Sequence, residues 1–113
     1  MSLRYRQTVV THRAPLVVDR YGNTTSERDW SRAVSTTVPR VEVLPEESTE
    51  DTGDRPVVVT RWRLITRRTV DIDLVPGDRV TALGRLWEVD GEPARYQLGG
   101  HHHTEVRLRA VDG

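Results

Sequence analysis

Apolar residues in this chain recur at every second position over long stretches, and nowhere do they hold the three-to-four-residue spacing of an amphipathic helix. Val106, Leu108 and Ala110 alternate with Arg107 and Arg109. Val70, Ile72 and Leu74 alternate with Asp71 and Asp73, and Val58, Thr60, Trp62 and Leu64 alternate with Val59, Arg61 and Arg63. Successive side chains of an extended strand point to opposite faces, so each run predicts a strand with one buried and one solvated side. β-Branched residues dominate these runs and pack well on a pleated surface. The pattern specifies an all-β chain.

Turn chemistry divides the strands. Tyr21-Gly22-Asn23, Pro76-Gly77-Asp78 and Asp90-Gly91-Glu92-Pro93 supply residues that tolerate positive φ or preset a bend. Strands are expected at 4–13, 16–20, 30–38, 41–44, 57–66, 70–74, 79–83 and 85–90, with a last strand closing the chain. Thr24 to Asp29 and residues 94–104 read as loops, and Pro39 as a kink. The Glu/Ser/Thr/Asp-rich stretch from Pro45 to Pro56 reads as a long polar central loop. At 113 residues the chain suits one domain, 1–113, with a modest core. The expected architecture is a small barrel or sandwich of six to eight antiparallel strands.

Charge is balanced overall but unevenly placed. The formal net charge is zero, which argues against a field that attracts polyanions over the whole surface. Between Pro45 and Pro56, Glu46, Glu47, Glu50, Asp51 and Asp54 face one base, Arg55, whereas residues 1–40 carry seven Arg against three acids. Such segregation suits charge-complementary contacts between copies of one protein. The chain has no Cys, which excludes disulfides, thiolate metal sites and thiol catalysis. No apolar run reaches the length of a membrane span, and MSLRYRQTVV lacks the apolar core of a signal peptide, so synthesis in the cytoplasm and no membrane partner are expected.

Few constellations carry chemistry. In an extended segment His101 and His103 share a face with Glu105, the donor set of a zinc site; the stronger expectation for His101, His102 and His103 is a surface loop bonded to neighbouring backbone or to another subunit. Glu88, Asp90 and Glu92 also share a face but run into a solvated turn, where paired carboxylates have no reason to acquire acid–base roles. No Gly-x-Ser-x-Gly elbow or phosphate-binding glycine loop is present. Arg61, Arg63, Arg67 and Arg68 around Trp62 resemble a single-strand-binding platform, but the alternation sends Trp62 to the core and Arg61 and Arg63 outward. Trp30, Trp62 and Trp87 are the expected apolar anchors. No catalytic residue, metal or cofactor is expected.

Three stretches, RYRQTVV…VDRYGNTT, VPRVEVLPEESTE…RPVVVTRWRLI and GDRVTALGRLWEVDGEPARYQLGGHHHTEVRLRAVDG, follow one another in an order that resembles the head-to-tail stopper, or head-completion, proteins of long-tailed bacteriophages. The resemblance implies a structural virion protein of the phage neck, a homo-oligomeric ring (sixfold or twelvefold) between the portal and adaptor above and the tail terminator or tail tube below. It implies that Glu46, Glu47, Ser48, Thr49, Glu50, Asp51, Thr52, Gly53 and Asp54 form a loop reaching the channel, where acids repel the phosphates of packaged DNA without binding them. Ring closure needs two different faces of one copy to meet; Arg107 and Arg109 against Asp71 and Asp73 are the candidate complementary pair, Arg61 and Arg63 are further interface candidates, and His101, His102 and His103 are the candidate contact to the connector. Other readings are a different connector part (adaptor or tail terminator) and a small β-barrel nucleic-acid-binding module.

Overall fold

A computed structural model describes residues 5–53, 55–97 and 102–111, with the backbone alone for 47–52 and 55–60. Nine strands form among the described residues: β1 (Gln7–Arg13), β2 (Leu16–Val18), β3 (Thr24–Arg28), β4 (Val34–Thr52), β5 (Arg55–Thr66), β6 (Arg79–Ala82), β7 (Arg85–Val89), β8 (Ala94–Tyr96) and β9 (His103–Ala110). The main sheet runs β5-β4-β1-β6-β7-β9, and β9 pairs back onto β5, so six strands close into an antiparallel barrel. β8 extends the sheet on β9, and β2 and β3 form a separate hairpin. Of the barrel and the sandwich that the all-β expectation left open, the barrel is the fold observed. Among the described residues no helix is long and apolar enough to cross a membrane.

The alternation works as the sequence demanded. Val9, Val41, Val43, Leu64, Val80, Trp87, Val89, Val106 and Leu108 point inward and are buried, while Arg61, Arg107 and Arg109 are exposed. Trp87 is 1% exposed, and its indole Nε1 donates to the Ala82 carbonyl at 3.0 Å, which satisfies the polar atom of the largest core side chain. Trp62 is partly buried against it with ring centroids 5.1 Å apart. Trp30, expected in the core, instead lies in a short 3-10 turn, Trp30–Arg32, where Arg79 stacks 3.9 Å from its ring centre.

Several boundaries differ from expectation. Thr24–Arg28 is a strand, because the Asp19 carboxylate accepts from the amides of Tyr21 and Asn23 and so folds the turn that brings β3 onto β2. Ala94–Tyr96 is likewise a strand, paired with β9. Residues 70–74 keep the alternation, with Ile72 and Leu74 buried, but form no ladder beyond a single bridge from Val70 to His103. Arg95 takes the place of a neighbouring strand: its two terminal nitrogens donate to the carbonyls of Ile72 and Leu74 at 2.9 and 2.8 Å.

Pro39 does not end β4. The register with β1 steps from Val9↔Val38 to Gln7↔Val41, so Pro39 and Arg40 bulge opposite Thr8. A residue without an N–H is tolerated at such a bulge. Arg40 takes φ 61° there. Past the bulge the Gln7 side chain substitutes for backbone pairing, its amide accepting from Val43 N and donating to Val43 O.

The segment 45–56, expected as a loop, is part of a two-stranded arm. β4 and β5 stay in register from Val41↔Thr66 through Pro45↔Trp62 to Thr52↔Arg55. β1 leaves β4 at Val41 and β9 leaves β5 at Trp62, so beyond Pro45 and Trp62 the hairpin projects with neither outer edge paired among the described residues. Eight residues of ladder span about 25 Å. The projection explains a radius of gyration of 16.4 Å, against about 13 Å for a compact chain of this length. Gly53, at φ 67°, begins the tight turn between the paired Thr52 and Arg55 and needs the positive φ that a short hairpin connection demands. Asp54 lies outside the described residues.

Candidate functional site

The described acidic residues of the central segment fall on one strand of the arm. Glu46, Glu47, Glu50 and Asp51 are all on β4, opposite Arg61, Thr60, Val57 and Pro56 of β5. Ser48, Thr49 and Thr52 share that strand. Glu46, at the base, is exposed and lies 3.6 Å from Arg63. The arm is thus a narrow acidic projection joined to the barrel at Pro45 and Trp62.

The residues expected to bridge copies are mostly bonded within the chain. Arg63 Nη1 donates to Glu105 at 3.0 Å, and Arg109 pairs with Glu88 at 3.2 Å. Asp71 accepts from His102 Nδ1 at 2.7 Å and from the Thr104 hydroxyl at 3.2 Å. Asp73 accepts from both terminal nitrogens of Arg13. Arg61 and Arg107 are exposed on the outer face. Of the histidine run, His101 lies outside the described residues; His102 holds Asp71, and His103 stacks on Tyr96 with ring centres 4.7 Å apart and lies 3.2 Å from Glu105. Among the described residues no three His, Cys, Asp or Glu side chains gather as a metal site. Glu88 is tied to Arg109, whereas Asp90 and Glu92 are exposed.

Sequence reasoning missed a charged knot under β1. Asp78, 1% exposed, accepts from Arg13 Nε and Nη2, the latter at 2.8 Å, and from Val75 N at 3.0 Å, with Arg28 4.0 Å away. The two carboxylates push the Arg13 pKa up, the hydrogen bond to Asp78 contributing most. Arg28 also donates to the carbonyls of Ala14 and Pro76, tying the β2–β3 hairpin to the barrel. The knot forms the charged side of a cleft of about 700 Å³ that Val34, Thr36 and Val38 also line. The only local signal was the Gly-Asp pair of a turn, and the partner, Arg13, is distant in sequence.

A second recess, about 460 Å³, is lined by Arg40, Arg67, Arg68, Thr69 and Val70. Arg67 and Arg68 were visible as a cationic pair, but Arg40 joins them only because of the Pro39-Arg40 bulge. Arg40 and Thr69 both occupy the left-handed region, at φ 61° and 67°. Each costs a non-glycine residue about 1–2 kcal/mol.

No protein-family model matches the chain, and no curated protein is similar enough to match it.

Proposed function

We propose that this chain is a ring-forming structural component of the neck of a long-tailed phage particle, acting as a head-to-tail stopper that joins portal and adaptor to the tail and helps retain packaged DNA. The acidic arm carries the reading. A small closed barrel gives each copy a rigid wedge, and the ladder from Pro45↔Trp62 to Thr52↔Arg55 carries acids clear of it. Acids held on a projecting ribbon repel phosphate at short range, which suits a barrier that DNA must later pass. The order of strands and turns from RYRQTVV to EVRLRAVDG supports the same reading, and the exposed Arg107 offers a cationic position to a neighbouring copy.

The test replaces residues 46–61 by Asn-Gly, a two-residue turn suited to the facing Pro45 and Trp62. Electron microscopy of the purified intact chain with a portal–adaptor complex is expected to show it as a ring on that complex. The armless chain is expected to form the same ring, in particles that fill and then lose DNA. An intact chain that stays off the connector, or armless particles that keep their DNA, would count against the reading.

A further inference from the structure

We propose that the recess bounded by Arg40, Arg67 and Arg68 is a binding site for a phosphate group. The β4–β5 ladder ends at Val41↔Thr66, and the next residue on each side, Arg40 and Arg67, lines the same recess. Like charges gathered in one recess repel. Arg68, next in the chain, adds a third guanidinium to the same recess, and among the described residues its lining contains no acid. Arg13, Arg63 and Arg109 each meet a carboxylate, and Arg95 is held by two carbonyl oxygens. Among the described residues no ion pair is recorded for Arg40 or Arg67.

The backbone points the same way. Arg40 sits at φ 61° in a bulge and Thr69 at φ 67° in the turn, and both line this recess. Glycine takes that conformation without a steric penalty. An arginine at the bulge therefore holds an unfavourable backbone beside a like charge, an arrangement an anion would relieve. Strained residues of this kind gather where a site must be shaped. Two backbone N–H groups of the recess are already used, Thr69 N by the His102 carbonyl and Val70 N by the Arg67 carbonyl. The ligand is therefore held by guanidinium forks, whose planar paired donors match phosphate oxygens. The inference goes beyond the neck reading and does not need it, because the recess belongs to a single copy.

The test titrates the intact chain with inorganic phosphate against chloride at matched ionic strength, by calorimetry and by thermal melting. Phosphate is expected to bind and to raise the melting temperature. Arg40→Gly and Arg67→Gln are expected to lose about tenfold or more in affinity, and Arg107→Gln, an exposed arginine outside the recess, to keep it. Arg40→Gly should melt no lower than the parent without phosphate, so that its loss of binding is not a loss of fold. A parallel titration with a short DNA duplex separates two sources: a salt dependence that falls by about one for each arginine removed from the recess assigns nucleic-acid backbone, and phosphate binding without duplex binding assigns a free phosphate. No phosphate effect on the parent, or equal loss in Arg107→Gln, overturns the site. So does binding of a peptide of residues 45–52 without binding of phosphate, which would give the recess to protein carboxylates.

Discussion

A buried aspartate with one strong partner is the most consequential single position in this chain. Asp78 is 1% exposed and takes a forked pair of hydrogen bonds from Arg13, whose own side chain is 43% exposed. Arg28, at 4.0 Å, is too distant to replace them. Removing Arg13 leaves a desolvated carboxylate held by one backbone amide, and such orphaned charges cost about 3 kcal/mol. Arg13→Ala is therefore expected to lower stability by about that much in urea unfolding. Asp78→Asn, which keeps the shape and an acceptor oxygen, should cost less. If Arg13→Ala unfolds at the parent's urea concentration, the pair is ornamental. None of this was readable from residue types alone. Gly77-Asp78 announces a turn, but its burial follows from β1 passing over it, and that contact joins positions far apart in the chain. The core was readable, because alternation ties burial to position parity: Val106 and Leu108, and Leu64 two residues beyond Trp62, went where their spacing sent them.

At the scale of elements, the arm is where polarity and backbone parted. Residues 45–56 have the composition of a loop, since a segment with few apolar side chains has no core to join. Ladder pairing, however, joins backbone groups, and β4 and β5 enter the segment already in register at Val43↔Leu64 and Leu44↔Arg63. Gly53 then offers the positive φ that closes the hairpin. The opposite error occurred at 70–74, whose alternation promised a strand; the inward residues did bury, but Arg95 took the carbonyls a neighbouring strand would have used. Alternation therefore reports which face is buried, and pairing must be settled by neighbours. Because beyond Pro45 and Trp62 the described ladder joins only β4 and β5, excision of the arm is expected to be nearly neutral: with Asn-Gly replacing residues 46–61, stability should change by less than about 1 kcal/mol. Thermal and urea unfolding of the two chains check this. A large loss would mean that the barrel leans on the arm and that Trp62 is held by it.

For the whole molecule, closure depends on the strand that comes last. Among the described residues β9 is the only strand that pairs with three others: β5 through Trp62↔Leu108 to Ile65↔Glu105, β7 through Trp87↔Ala110 to Val89↔Leu108, and β8 through Ala94↔Glu105 to Tyr96↔His103. It buries Thr104, Val106 and Leu108. Thr104 N donates to the Thr66 hydroxyl at 2.8 Å, which in turn donates to the Val70 carbonyl, so the same strand closes the polar end of the barrel. Without β9 the sheet from β5 to β7 is open, with two long edges and the faces of Leu64, Trp87 and Val89 in water. The two apolar side chains alone forfeit about 2 kcal/mol each, before the lost ladders and the newly exposed partners are counted, against a total stability of about 5–15 kcal/mol for a domain of this kind. A chain ending at Gln97 is therefore expected to lack a cooperative unfolding transition and to show collapsed amide dispersion in its proton–nitrogen spectrum. Adding a peptide of residues 102–111 should restore dispersion, because every group β9 pairs with is supplied by the rest of the chain. A truncated chain that melts cooperatively by itself would show that five strands suffice, and that closure serves assembly and not folding.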